Sequence, residues 1–370
     1  MKNTKIFVKT KSKTYPIYLG EKNLNTINSL IKKNLPDVEK VCIIYDKNVP
    51  SKILTKLNSS LKKFKPKIYK LTAAEKMKNF SVANNIIENL LKNNFNRSDC
   101  IISLGGGIIS DLSAFISSVL KRGTKFINIP TTLLAQTDAA IGGKTGINSR
   151  YGKNLIGTFY QPDFVLIDTS IINSLPYREK ICGYGEILKH SLILDRKFFN
   201  WLSKNAKKMI NNKNSILLKK AIIKSCKIKS KIIGRDEKEK NLRMILNFGH
   251  TFAHGFEGAA GFSKKLNHGE AVLLGMIIAS KLSYKKKLLS LKDFSLIKKH
   301  YINLNLPMKI GEFFHKNEIN KIISFIKKDK KNFDKKINLI LLKKIGATTK
   351  PNQININANE IRNFLIKNFY

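Results

Sequence analysis

The stretch Cys100-Ile101-Ile102-Ser103-Leu104-Gly105-Gly106-Gly107-Ile108-Ile109-Ser110-Asp111 decides how the fold is read. A short apolar, β-branched run predicts a buried strand, and the glycines after it open a helix. At such a junction glycine lets the backbone approach a ligand, and the N–H groups of a helix start attract a pyrophosphate. The GxGxxG fingerprint is missing, so the turn taken alone is equally compatible with a purely structural role. Residues 41–46, 67–71, 126–130 and 164–168 repeat the apolar run, each set off by helical patterns. Such an alternation predicts a parallel sheet covered on both faces. After Leu175-Pro176 the periodicity becomes helical, over 178–194, 198–209, 216–233, 242–256 and 269–284, with one late strand at 337–342. The expected architecture is a Rossmann-like α/β domain over 1–176 and a mainly α-helical domain over 177–370, with the active site in the interdomain cleft.

The chain has 370 residues and a formal charge of +44, from 69 Lys and Arg against 25 Asp and Glu. A cationic excess of this size ordinarily suggests nucleic acid or an anionic membrane. Only eight of the cations are Arg, however, whereas base and phosphate recognition recruits the forked guanidinium. The lysines are spread along the chain with abundant Asn and Ile, which reads as a solvated surface without a specific nucleic-acid partner. The N-terminal residues lack the apolar core of a signal peptide, and the longest apolar stretch, 271–279, is too short for a membrane span. Four scattered cysteines, Cys42, Cys100, Cys182 and Cys226, form no CxxC pair and suit reduced thiols in a cytoplasm.

Two further regions carry chemistry. The segment from Pro130-Thr131-Thr132 through Asp138 to Gly142-Gly143-Lys144-Thr145, followed by Gly152-Lys153-Asn154, mixes small residues with a carboxylate and lysines. This is poor core material and good lining for a phosphorylated, hydroxyl-rich ligand, although a glycine-rich turn with a structural ion pair fits it equally. In the second half, Glu186, Lys189 and His190 share one helix face, His250 and His254 lie one turn apart, and His268 follows. Two histidines and a carboxylate with an open position would hold a divalent cation. Spacing leaves open which histidines serve, because His190 pairs with Glu186 as readily as a distant one does.

In this order the segments resemble the 3-dehydroquinate synthases, of the sugar phosphate cyclase group. The resemblance runs through Gly105-Gly106-Gly107, Arg122-Gly123, Pro130-Thr131-Thr132-Leu133-Leu134-Ala135-Gln136, Gly142-Gly143-Lys144-Thr145, Gly152-Lys153-Asn154, Glu186-Ile187-Leu188-Lys189, Asn247-Phe248-Gly249-His250-Thr251, His268-Gly269-Glu270 and Asp329-Lys330-Lys331. It implies a zinc or cobalt ion on Glu186, His250 and His268, with His254 a catalytic residue and His190 a packing residue. It implies NAD on Asp46, Asn48, Glu75, Lys78, Gly106, Gly107, Asp111, Thr131, Thr132, Leu134, Asp138, Lys144 and Lys153. Lys144, Asn154, Lys189, Arg243, Asn247 and His254 are the implied catalytic set, and Arg122, Asp138, Lys229, Glu239 and Lys331 the implied substrate contacts.

The implied reaction converts 3-deoxy-D-arabino-heptulosonate 7-phosphate to 3-dehydroquinate and phosphate, a carbon–oxygen lyase step of aromatic amino acid biosynthesis. It proceeds by transient oxidation by NAD, β-elimination of phosphate, re-reduction, ring opening and aldol closure. The family also implies a homodimer. Ser110, Ala114 and Gly185 depart from the family pattern without removing a reactive group. The alternatives are a sister sugar phosphate cyclase, a metal-dependent polyol dehydrogenase of the same superfamily and, more distantly, a basic nucleic-acid-binding protein.

Overall fold

The computed structural model describes residues 3–211, 215–328 and 336–370. The chain divides into two compact units, Met1–Lys180 with Leu218–Lys238, and Ile181–Leu217 with Glu239–Tyr370. The strands of the first unit are β1 (Thr4–Lys9), β2 (Thr14–Gly20), β3 (Val41–Asp46), β4 (Lys67–Leu71), β5 (Cys100–Gly105), β6 (Lys125–Pro130), β7 (Ile147–Ser149), β8 (Gly152–Ile156) and β9 (Phe164–Asp168). Seven form one sheet in the order β1-β2-β9-β6-β5-β3-β4, parallel throughout except for the β1–β2 hairpin. All five apolar runs read from the sequence are strands of the parallel part.

Side-chain alternation along these strands builds a core on each face. On one face Ile43, Ile102 and Ile127 join Ile27 and Ile31 of α1 (Ile27–Asn34) and Ile53 and Leu57 of α2 (Ser51–Ser60). On the other, Ile44 and Ile101 join Ile86 and Leu90 of α3 (Phe80–Lys92) and Leu112 and Ile116 of α4 (Gly107–Val119). Each such aliphatic side chain contributes roughly 1.5–3 kcal/mol by leaving water. From β3 the chain steps outward to β4, then returns past β3 to β5 and continues the opposite way to β6. The reversal lies between β3 and β5, and ligands of open α/β sheets settle at the carboxyl ends of the strands beside such a reversal.

The second unit is helical, with α5 (Tyr177–Leu194), α6 (Arg196–Ile210), α7 (Ser215–Arg235), α8 (His250–Ala259), α9 (His268–Lys285), α10 (Leu291–Asn303), α11 (Ile319–Lys327) and α12 (Ala358–Lys367). The first turn of α5 and all but the start of α7 are counted with the first unit. Two small ribbons pair β10 (Lys336–Leu339) with β13 (Ile354–Asn357), and β11 (Leu342–Lys344) with β12 (Ala347–Thr348). Among the described residues no helix is long and apolar enough to cross a membrane. The four cysteines are buried and form no disulfide.

Three expectations are corrected in detail. A single boundary after residue 176 is too simple, because 218–238 belongs with the first unit. Cys226 Sγ lies 3.4 Å from the Gln136 carbonyl, and Glu237 accepts from the Ser12 N–H at 3.1 Å and from Gln161 Nε2 at 2.8 Å. The helix expected over 242–256 is broken: a 3-10 turn, Leu242–Asn247, ends at Phe248, and α8 starts only after Gly249 at φ 80°. The strand expected over 337–342 is divided between β10 and β11.

Candidate active site

In the first unit the residues matched to nucleotide binding gather at the carboxyl ends of β3, β4, β5 and β6. Asp46 ends β3, and its Oδ1 accepts from the Asn48 N–H at 3.1 Å and from Asn48 Nδ2 at 3.2 Å. Gly106 stands at the N-cap of α4 and brings no capping side chain to its first N–H groups, and such a helix start suits an anion. Lys78 is buried, and its Nζ donates to Asp111 Oδ2 at 2.7 Å and to Asn154 Oδ1 at 2.6 Å. Crowding away from water raises the Asp111 carboxyl above the ordinary range, although Lys78 pulls the other way. Burial also pushes Glu75 up, but Lys153 at 3.3 Å, the Asn148 amide at 2.7 Å and Lys78 outweigh it and hold Glu75 below the ordinary range. Asn148 was not singled out from the sequence; it also accepts from the Asn154 N–H at 3.0 Å, tying the β7–β8 hairpin to Glu75.

Thr131, Thr132 and Leu134 follow β6 directly, and the Thr132 hydroxyl accepts from the Ala135 N–H at 3.1 Å. A π-turn, Ala135–Ala139, then carries Asp138. Lys229 of α7 closes on this residue, with Nζ 2.7 Å from Asp138 Oδ1 and 2.6 Å from the Asp138 carbonyl. Lys144 is exposed and bridges to Phe159 through the backbone. Arg122 stands apart from this group. It is exposed, at φ 61°, at the far end of α4 from the glycine turn, about 20 Å along a 13-residue helix. The Ser110 departure has a defined partner: its hydroxyl accepts from Asn128 Nδ2, and Asn128 Oδ1 accepts from Ser103 at 2.7 Å.

In the second unit, Glu186, His250 and His268 come together, with ligand atoms all within 4.8 Å of one another. His254 is not part of this set, although its ring centroid lies 5.8 Å from that of His250. His250 and His268 are each the first residue of a helix, α8 and α9. Two glycines make the approach possible. Gly249 holds φ 80° where any Cβ would fall 2.6 Å from Met276 Cγ, and a Cβ at Gly269 would lie 2.3 Å from the Cys182 backbone. Gly185 is less constrained: a Cβ there would lie 3.1 Å from the Gly269 carbonyl, so its departure relieves a tight contact between α5 and α9.

The set suits a divalent cation. Glu186 is 1 % exposed, and both of its carboxylate oxygens are shut off from water. Its charge faces the Lys189 ammonium in an i,i+3 ion pair and His250 Nε2 at 3.7 Å. Two imidazoles and one carboxylate are a common donor set for zinc or cobalt. Glu257 was not singled out from the sequence; its Oε2 lies 3.1 Å from His268 Nδ1. Burial draws the His268 pKa down, but the Glu257 carboxylate, with Glu186 behind it, lifts it to about 9. Asn247 Nδ2 donates to Glu239 Oε1 at 2.8 Å, Arg243 is buried, and His190 is fully buried. Lys330 and Lys331 lie outside the described residues.

Residues 68–182 match the family model of the 3-dehydroquinate synthase N-terminal domain, and residues 183–332 match that of the C-terminal domain. The 3-dehydroquinate synthase of Pelagibacter ubique is 52% identical over 351 residues, covering 95% of each chain. That of Thermoanaerobacter pseudethanolicus is 38% identical, covering 92% of this chain and 94% of its own. Among solved structures, 2-deoxy-scyllo-inosose synthase complexed with carbaglucose-6-phosphate, NAD+ and Co2+ superposes with a TM-score of 0.87 at 25% identity, covering 99% of this chain and all of that one. With both family models matched in order over most of its length and relatives aligned nearly end to end, the chain belongs to the 3-dehydroquinate synthase family.

Proposed function

We propose that this chain is a 3-dehydroquinate synthase, a phosphate-eliminating lyase dependent on NAD and a divalent metal, zinc or cobalt. It converts 3-deoxy-D-arabino-heptulosonate 7-phosphate to 3-dehydroquinate and inorganic phosphate. The observation that carries the reading is the convergence of Glu186, His250 and His268 in a chain 52% identical to a relative of that name. The solved cyclase with NAD+ and Co2+ supports the choice of cofactors. A bound nicotinamide supplies reversible hydride acceptance, and a bound cation supplies Lewis acidity at a substrate oxygen.

The remaining work falls to the chain. Asp46, Asn48, Glu75, Lys78, Asp111, Lys153 and the backbone of Gly106 and Gly107 hold the dinucleotide, alongside Thr131, Thr132 and Leu134. Lys144, Asn154 and Arg243 cradle the phosphate, and His254 relays a proton at the leaving oxygen. Lys189 beside Glu186, and Asn247 fixed by Glu239, orient substrate hydroxyls. Asp138, held by Lys229, faces the dinucleotide and the substrate, and Lys331 completes the substrate contacts. The enzyme acts as a cytoplasmic homodimer, with no specific nucleic-acid or membrane partner.

The test is phosphate release from the heptulosonate phosphate, measured with and without NAD and zinc while absorbance at the NADH band is followed. Release that needs both cofactors, without NADH accumulation, is expected. Steady NADH accumulation would replace this reading with a dehydrogenase. The likeness to 2-deoxy-scyllo-inosose synthase makes a sister cyclase the second reading, and turnover restricted to another sugar phosphate would establish it.

A further inference from the structure

We propose that Glu257 is the positioning residue for His268, holding its Nδ1–H so that Nε2 is the nitrogen presented to the cation; this rests on the metal reading of Glu186, His250 and His268. Glu257 is largely buried near the end of α8, where a carboxylate is costly unless a partner offsets the loss of water. Its Oε2 lies 3.1 Å from His268 Nδ1. A carboxylate oxygen only accepts at this distance, so Nδ1 carries a proton and Nε2 is the nitrogen left to face a cation.

The neighbouring ligand is held in the same sense. His250 Nδ1 faces the Phe248 carbonyl at 3.3 Å, and its Nε2 is the atom 3.7 Å from Glu186 Oε1. Both rings are thus anchored through Nδ1, with centroids 5.6 Å apart. The anchors differ as the surroundings differ. The His250 side chain is 12 % exposed, whereas that of His268 is 40 % exposed. The less enclosed ring receives the stronger acceptor. A carboxylate on the far nitrogen also increases the donor strength of the imidazole and adds negative charge beside the cation.

The experiment measures zinc affinity of the full chain by chelator competition for the parent, E257Q and E257A, with thermal unfolding of each metal-free protein as the check on folding. A rise in zinc Kd of about tenfold or more, larger for E257A than for E257Q and with little change in the unfolding temperature, is expected. Binding within twofold of the parent in both variants would overturn the proposal. Should the variants fold poorly, 15N spectra of histidine-labelled, zinc-loaded parent protein decide it: a proton on Nδ1 and zinc on Nε2 of His268 supports the assignment, and the reverse overturns it. If the parent itself holds no zinc, the metal reading fails and the proposal fails with it, a result distinct from equal affinity in parent and variants.

Discussion

Replacing Lys78 with methionine tests whether one buried ammonium ties the nucleotide end of the sheet together. Lys78 is 2 % exposed and satisfies two groups, Asp111 at 2.7 Å and Asn154 at 2.6 Å. Methionine keeps most of the stem volume and removes the charge. Breaking a fully buried pair from one side costs roughly 3–5 kcal/mol. The Asp111 side chain retains 26 % of its exposure, so water compensates in part and about 2–3 kcal/mol is expected near pH 8.

The pH dependence follows from the direction of the Asp111 shift. Its carboxyl is already raised by burial against the pull of Lys78, so the folded chain binds that proton more tightly than the unfolded chain does. Stability on this account is lost as pH climbs from the ordinary Asp range through the folded pKa. Without Lys78 the folded pKa rises further and the window widens. The K78M deficit is therefore largest near pH 8 and shrinks as the pH falls toward 5. Equilibrium urea unfolding of parent, K78M, D111N and the double variant at both pH values measures it. The double variant is expected to lose about 2 kcal/mol less than the two single losses combined. A coupling below about 0.5 kcal/mol with a pH-independent K78M deficit would refute the reasoning.

Two other expectations are accessible with purified protein. H250A loses stoichiometric zinc, whereas H254A keeps the metal and loses turnover; metal analysis beside the phosphate-release assay checks both, and zinc retained by both variants would reject the ligand set. His300 is buried with its Nε2 2.6 Å from the Tyr184 hydroxyl, and burial lowers its pKa to about 4. The folded chain excludes the proton, so stability is fully present above pH 6.5 and falls by about 3 kcal/mol as the pH drops toward 4. Urea unfolding of H300Q is expected to flatten that slope, and parallel curves would reject it.

Much of the site was legible in the sequence because its parts are local. The glycine turn after β5, the threonines after β6 and the histidines at the starts of α8 and α9 sit where a strand or helix must begin or end, and short-range patterning marks such places. The resemblance then chose between His254 and His268, which spacing could not do. The hairpin of β1 and β2 went unread, since β1 is half-exposed and lysine-bearing, and Pro16 interrupts the short apolar run of the mostly buried β2. The break at Gly249 was hidden for a related reason: apolar periodicity on both sides suggests one helix, and only the folded chain shows the φ of 80° at Gly249 and the approach of Met276 that excludes a Cβ there.

What the sequence determined by itself is the five parallel strands, the alternation that covers both faces of their sheet, the change to helical periodicity in the second half, and the residue types at each candidate position. These follow from periodicity and backbone preference within a few residues. The tertiary structure alone decided which distant side chains meet: Lys78 with Asp111 and Asn154, Lys229 with Asp138, and Glu257 with His268. It also returned 218–238 to the first unit and left Arg122 at the opposite end of α4 from the glycine turn. A charge or hydrogen bond acts over a few ångströms of space, and the separation of two residues along the chain does not report that distance until the backbone has folded.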